Sequence, residues 1–238
     1  MNHPNPILRK ILQIFWVQIP VKRAGYITTI STATKTELLK FVNVDEKKVR
    51  VLYIPVADLM EYKPKVFNTE KPTILQIGTK ENKNLIRLAE ALNGVNCKLS
   101  IVGVLTKGQK EALRENNIDY SNAVNISNEE LKQQYVDSDM LAFVSTYEGF
   151  GMPIVEAQIV GRPVITSNLL SMPEVAGDAA LLIDPYNVEE IRNGVLKIIT
   201  DETYRNMLVE KGRVNANRFS VDTITAQYDA LYKEIFNY

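Results

Sequence analysis

Residues 140–161, MLAFVSTYEGFGMPIVEAQIVG, contain a strand, a turn and a helix in sequence. The apolar run MLAFVS (140–145) has the length of a fully buried strand. The next segment, TYEGFGM (146–152), supplies two glycines to a turn. Pro153 suits the first position of a helix, where a missing N–H is no loss, and Gly161 stops that helix after Val160. The same alternation continues upstream. There the sequence predicts a strand TILQI (73–77), a helix over 84–92, a strand KLSIV (98–102), a helix over 107–116 and a short run YSNAVNI (120–126). A capping box, Ser127-Asn-Glu-Glu130, then opens a helix ending near Tyr135. Downstream it predicts a strand over 163–166, a further capping box at Ser171-Met-Pro-Glu174, a strand over 180–183 and three helices. Strands alternating with helices at this spacing predict an α/β fold, a Rossmann-like parallel sheet with helices on both faces.

The remainder is shorter and less regular. ILRKILQIFWVQI (7–19) carries apolar residues at 7, 8, 11, 12, 15, 16 and 19, the spacing of an amphipathic helix, and is read as burying that face rather than lying on a membrane surface. Arg9, Lys10, Gln13 and Gln18 interrupt it, no small-residue cleavage site follows, and it is too short to span a bilayer. Pro20 is expected to end it. The β-rich run YITTIS (26–31) follows, then a capping box at Thr34-Lys-Thr-Glu37 opening a helix through Phe41, then a strand within 47–54 closed by Pro55. Residues 56–72 lose periodicity and read as a linker.

Composition excludes several function classes. In 238 residues, 28 Lys and Arg balance 28 Asp and Glu, which leaves no surplus of positive charge for a nucleic-acid partner. A single Cys97 and a single His3 leave no disulfide framework, no Cys-cluster metal site and no Ser/His or Cys/His pair beyond those using His3. Cysteine usage of this kind points to the reducing cytoplasm.

In an open parallel sheet, ligands bind beyond the carboxyl ends of the strands. Two strand-to-helix turns therefore stand out. In the first, residues 78–84, Gly78 permits close backbone approach, and Lys80 and Lys83 can place ammonium groups beside an anion. Taken alone, this is more often a solvated polar turn, and it holds neither G-x-G-x-x-G nor a Walker A motif. In the second, Glu148-Gly-Phe-Gly-Met-Pro-Ile-Val-Glu156, the N–H groups of Gly151, Met152, Ile154 and Val155 are expected free around a helix start, with Glu148 in the loop and Glu156 in the first helical turn. Alone it also reads as two turn glycines with Glu156 complementing the helix dipole.

Glu148 and Glu156 together resemble the E-x7-E signature of retaining glycosyltransferases with the GT-B fold, the large family 4 with many bacterial polysaccharide and lipopolysaccharide transferases. ITTIS (27–31), LQIGTKENKN (75–84), Asp139 leading into FVSTYEGFGMPIVEAQ (143–158), GRPVITS (161–167) and MPEVAGDAALLIDP (172–185) extend the resemblance over nearly the whole chain.

The resemblance implies a sugar transfer from a nucleotide-sugar donor to a sugar or lipid-linked acceptor, in cell-surface polysaccharide or lipopolysaccharide synthesis. It implies no metal and no cofactor beyond that donor. Lys83 and Glu148 take the catalytic roles, Lys83 at the diphosphate and Glu148 at the donor sugar. Gly78, Lys80 and the backbone of Gly149, Phe150, Gly151, Met152 and Ile154 hold the diphosphate and sugar. Glu156 binds the ribose hydroxyls, and Asn125 and Ile126 meet the base. Many relatives place an Arg ahead of the Lys in the first loop; here Lys80 stands in, without a bidentate grip.

The implied organisation is a tail of an N-terminal Rossmann-like domain (1–55), a linker (56–72), the GT-B C-terminal, donor-binding domain (73–220) and a helix returning toward the first domain (221–238). The rest of that first domain, with the acceptor site and the family's catalytic His, is expected to be missing or separate, and His3 is read as a surface residue. Location is expected to be cytoplasmic, peripheral at the inner face of the membrane. The alternative is an inactive nucleotide-sugar-binding module that needs a separate acceptor domain. Asp137-Ser-Asp139 is a D-x-D, a metal signature elsewhere among glycosyltransferases, but it precedes its strand, at the wrong end of the sheet for ligands.

Overall fold

A computed structural model describes residues 5–56 and 60–236. The N-terminal segment comprises α1 (Pro6–Gln13), a π-helical turn (Ile14–Gln18), α2 (Ile19–Arg23), β1 (Ile27–Thr29), α3 (Thr32–Phe41) and β2 (Val49–Val51). The main sheet and its helices follow as β3 (Thr73–Ile77), α4 (Leu85–Leu92), β4 (Lys98–Val102), α5 (Lys107–Glu115), β5 (Asp119–Ala123) and α6 (Asn128–Asp137). Then come β6 (Met140–Phe143), α7 (Met152–Val160), β7 (Val164–Ser167), α8 (Met172–Ala176), β8 (Leu181–Ile183), α9 (Val188–Thr200), α10 (Glu202–Ala216) and α11 (Val221–Phe236).

The main sheet is parallel throughout, in the order β5-β4-β3-β6-β7-β8. Successive strand residues alternate between its two faces. Ile74, Met140 and Ala142 enter one core with Leu88, Leu113 and Ile198, while Leu75, Leu141 and Phe143 enter the other with Val155, Val175 and Phe219. Helices therefore cover both faces, as the sequence predicts. The chain winds outward from β3 through β4 to β5, then crosses to β6 and winds the other way. The crevice at this reversal, beyond the carboxyl ends of β3 and β6, is where such sheets bind ligands.

Asn84 ties the two sides of that crevice together. It ends the 78–84 turn in the left-handed region (φ 60°) and is buried. Its Nδ2 donates to the carbonyl of Val144 (3.1 Å), just past β6, and to that of Pro185 (2.7 Å), past β8. Its Oδ1 accepts from Arg87 Nη1 at 3.0 Å. Val144 and Ser145, expected as the end of a strand, lie beyond the β6 ladder as a result.

The N-terminal segment departs from expectation in four ways. Pro20 does not end the first helix. Ile19 N–H reaches back five residues to the Ile14 carbonyl, and this widened turn lets α2 run on to Arg23. The apolar face of residues 7–16 is not buried: Ile7 (71%), Phe15 (64%) and Trp16 (74%) are exposed, and no element among the described residues covers them. α3 starts earlier than predicted, because Ser31 rather than Thr34 caps it, and Glu37 turns forward to Lys40. The strand within 47–54 shrinks to Val49–Val51 because its partner β1 offers only three residues. β1 and β2 pair in parallel around α3, a small βαβ unit.

Of the expected linker, residues 60–72 hold no helix or strand. His3 lies outside the described residues. On α11, Ile224 and Leu231 are buried, and Glu234 pairs with Arg50 of β2 at 2.5 Å. Among the described residues no helix is long and apolar enough to cross a membrane.

Replacing Asn84 with Ala orphans two carbonyls and strains a left-handed position, so a loss of about 3 kcal/mol is expected in denaturant unfolding. Asn84→Gly should recover about 1 kcal/mol of that by relieving the backbone.

Candidate active site

The 78–84 turn and the 144–151 loop face each other across the reversal. Thr146 N–H donates to the Asn82 carbonyl at 2.8 Å, and Asn82 Nδ2 donates to the Tyr147 carbonyl at 2.8 Å. Lys83 Nζ lies 2.6 Å from Glu148 Oε1, with both side chains largely withdrawn from solvent, and 4.4 Å from the centre of the Phe143 ring. Gly78 (φ 85°) makes room for it: a Cβ there would meet Lys83 Cε at 3.0 Å. The buried Gln76 fastens the turn by donating to the carbonyls of Gly78 (3.2 Å) and Lys83 (3.1 Å). Two residues picked from separate stretches of sequence thus meet as one ion pair at the mouth of the crevice.

Glu156 sits in the second turn of α7 rather than the first, since the helix begins at Met152. Tyr135, fully buried on α6, donates its hydroxyl to Glu156 Oε2 at 2.5 Å. Burial pushes the Glu156 carboxyl above the ordinary glutamate value, and the Tyr135 hydrogen bond pulls the other way. The tyrosine's own hydroxyl, raised well above its ordinary value by burial and then by the carboxylate, stays a donor.

The helix start corrects part of the anion-site expectation. Ile154 N–H is not free, because it bonds the Gly151 carbonyl at 3.0 Å. Ile154 and Phe150 are buried, Phe150 in an aromatic cluster 6.0 Å from Tyr53 and 5.5 Å from Phe219, so these two can meet a ligand only through backbone. Gly149, Gly151 (φ 117°) and Met152 surround the same helix start. Lys80 is exposed and makes no ion pair among the described residues. Asn125 (φ 55°) and Ile126 follow β5, two strands from β3, on the order of 10 Å at ordinary strand spacing, so they share the carboxyl edge with the two loops at a distance.

The remaining candidates are structural. Asp139 is buried and its carboxylate accepts the N–H groups of Asn68 (3.2 Å) and Thr73 (2.8 Å) and pairs with Lys65 (3.0 Å), so the D-x-D holds the amino end of the sheet together. No group of three or more acidic, His or Cys residues fit for a metal occurs among the described residues. Cys97 is buried, its thiol pushed up to about 11 by that burial, which makes it inert as a nucleophile. The capping box expected at 171–174 does not form. Ser171 turns to the 148–151 loop, donating toward the carbonyls of Glu148 and Phe150, and Glu174 reaches across to Thr32 and Tyr53. Asn82, Asn84, Tyr135, Ser31, Thr34 and Ser171 support the site and were not singled out for it in the sequence. Ser31, Thr34 and Ser171 carry a local signal, a hydroxyl three residues before Thr or Glu.

Comparison with known proteins bears on these features. Residues 61–215 match the family described as "Glycosyl transferases group 1". Over 108 residues the chain is 38% identical to O-antigen chain mannosyltransferase B of Escherichia coli, covering 45% of this chain and 28% of that protein. O-antigen chain mannosyltransferase RfbU of Salmonella typhimurium is 26% identical over 216 residues, 82% of this chain and 57% of that one. The chain thus spans well under two thirds of either relative. Among solved structures, sucrose-phosphate synthase from Thermosynechococcus elongatus superposes with a TM-score of 0.82 at 18% identity, covering 99% of this chain and 64% of that one. Anabaena Alr3699/HepE, solved in complex with UDP and glucose, gives 0.79 at 18% identity over 94% of this chain and 67% of that one. At such identities the likeness establishes the fold, which these chains share.

A glutamate raised by burial favours the native state at low pH, and that contribution is lost as pH rises through its folded value. Glu156→Gln is therefore expected to melt higher than the unaltered chain at neutral pH. The gap should close below the ordinary glutamate value of 4.5, as followed by thermal melts across pH.

Proposed function

The chain belongs to the glycosyl transferases group 1 family, and on that premise we propose that it is the donor-binding part of a retaining, family 4 glycosyltransferase that moves mannose from a nucleotide-sugar onto a cell-surface polysaccharide. The Lys83–Glu148 pair at the sheet's reversal is the observation that carries this reading. The names of its relatives, O-antigen mannosyltransferases, suggest the sugar and the product. In this reading residues 73–220 form the donor domain, 1–55 the tail of a first domain, 56–72 the link, and 221–238 the returning helix. The work is done at the inner membrane face.

Breaking a glycosyl phosphate bond develops positive, oxocarbenium-like charge on the sugar and negative charge on the departing diphosphate. Lys83 and the start of α7 face the position of that negative charge and stabilise it as it grows. A diphosphate competes with Glu148 for the Lys83 ammonium, and Glu148 is then free to meet the donor sugar. Glu156 Oε2 is held by Tyr135, which leaves Oε1 to accept from the ribose hydroxyls. Lys80 adds a point charge at the rim, Asn125 and Ile126 meet the base, and no step uses a metal.

The exposed apolar face at Ile7, Phe15 and Trp16 favours a second reading, a binding module that becomes active only with a separate acceptor domain. Sugar transfer by this chain alone overturns that second reading.

Calorimetric titration with UDP, GDP and GDP-mannose tests the site. Binding at or below millimolar concentration is expected. Glu156→Ala and Lys83→Met should each weaken it about tenfold or more, as expected for loss of hydrogen bonds to charged groups. No binding at millimolar concentration, or affinity unmoved by Glu156→Ala, overturns the assignment.

A further inference from the structure

Three consecutive carbonyls of the loop between β6 and α7 are held by hydroxyls from two distant parts of the chain. Ser171 Oγ lies 2.9 Å from the carbonyl oxygen of Glu148 and 2.8 Å from that of Phe150, sharing its hydrogen between them. The carbonyl between these two, that of Gly149, accepts from Ser31 Oγ at 2.8 Å and from Thr34 Oγ1 at 3.0 Å. Ser31 and Ser171 are fully buried, so each hydroxyl had to be desolvated to sit there. The two hydroxyl-bearing turns are themselves tied. Glu174, three residues after Ser171, accepts the Thr32 N–H with both oxygens (3.0 and 2.9 Å) and the Thr32 hydroxyl at 2.7 Å.

These bonds set more than the carbonyls. There is no cis peptide among the described residues, so the N–H of each following residue points away from the carbonyl that is held. Fixing the carbonyls of 148, 149 and 150 therefore fixes the N–H groups of Gly149, Phe150 and Gly151. None of the three donates to an acceptor among the described residues, although Phe150 and Gly151 are buried. Backbone donors in such places are ordinarily paired. The loop thus holds three donors of fixed direction between Glu148, the partner of Lys83, and the start of α7.

We propose that Ser31, Thr34 and Ser171 are positioning residues, a hydroxyl cradle that pre-aims the N–H groups of 149–151 at the diphosphate of the donor. This rests on the reading of the crevice as a donor site. Donors already aimed need not reorganise when the anion arrives, which is where such groups gain most. Because Ser31 and Thr34 belong to the N-terminal segment, the donor loop takes its shape partly from residues outside the donor domain.

Ser171→Ala is the cleanest variant, since Ser171 caps no helix and loses only its bonds to the loop. Thr34→Val is the second, because Ser31 keeps its cap on α3. Each is titrated with UDP and GDP and with UMP and GMP, alongside a thermal melt. We expect Ser171→Ala to weaken the diphosphate about tenfold and Thr34→Val about threefold, with a smaller loss for the monophosphate and recovery in Thr34→Ser. Diphosphate affinity within about twofold of the unaltered chain in both variants overturns the cradle alone. So does an equal loss for mono- and diphosphates that tracks a lowered melting point, since this marks a merely structural role. Failure of the unaltered chain to bind either diphosphate overturns the donor-site reading and the cradle with it.

Discussion

A parallel sheet that winds both ways must reverse once, and the loops on either side of the reversal have no crossover helix between them. In this protein that gap lies between β3 and β6, and the chain closes it with polar side chains rather than packing. Asn84 spans it to Val144 and Pro185, Asn82 meets Thr146 and Tyr147, and Lys83 reaches Glu148. The neighbouring asparagines, exchanging hydrogen bonds with backbone groups, set the distance at which the ion pair sits. Without the reversal, the two turns would be covered by a helix and neither charge would face a ligand.

Most of the fold was legible because the main sheet obeys local rules. TILQI and KLSIV appear as strands over the residues predicted, and the Ser127–Glu130 capping box forms with both reciprocal bonds. Errors cluster where a residue's partner is far away in sequence. Ser171 and Glu174 have the spacing of a cap, yet their groups go to the carbonyls of Glu148 and Phe150 and to Thr32, because leaving two loop carbonyls without donors costs more than leaving a five-residue helix uncapped. Thr34 and Glu37 likewise looked like a cap until Ser31, one turn earlier, took that role. Pro20 broke its rule because a π-turn before it removes the clash that normally ends a helix.

The candidate site was legible in its charges and not in its supports. Lys83, Glu148 and Glu156 could be selected as residue types placed beyond strand ends. Tyr135 could not, because a tyrosine in the last turn of an amphipathic helix reads as core until the fold brings its hydroxyl to a carboxylate. The Phe150 ring belongs to the Tyr53 and Phe219 cluster, which joins the N-terminal segment to the loop before α7, so only the Phe150 backbone is left for a ligand. The chain's zero net charge is compatible with the proposed anion site, because the positive field such a site needs is local: one partly buried lysine, one exposed lysine and a row of N–H groups.

Keeping Lys83 and Glu148 paired solves a problem that a preformed ion site raises. An unpaired ammonium or carboxylate in so enclosed a position would carry a desolvation cost. Paired at 2.6 Å, each offsets that cost for the other. In the proposed donor-site reading, an arriving diphosphate exchanges one anionic partner of Lys83 for another, and Glu148 stays beside the same crevice, where sugar hydroxyls can satisfy it. The pair is therefore weak evidence for stability and better understood as two functional charges stored against each other. Gly78 belongs to the same argument: only a residue without a side chain lets the Lys83 stem lie close enough for the exchange to occur within one turn of chain.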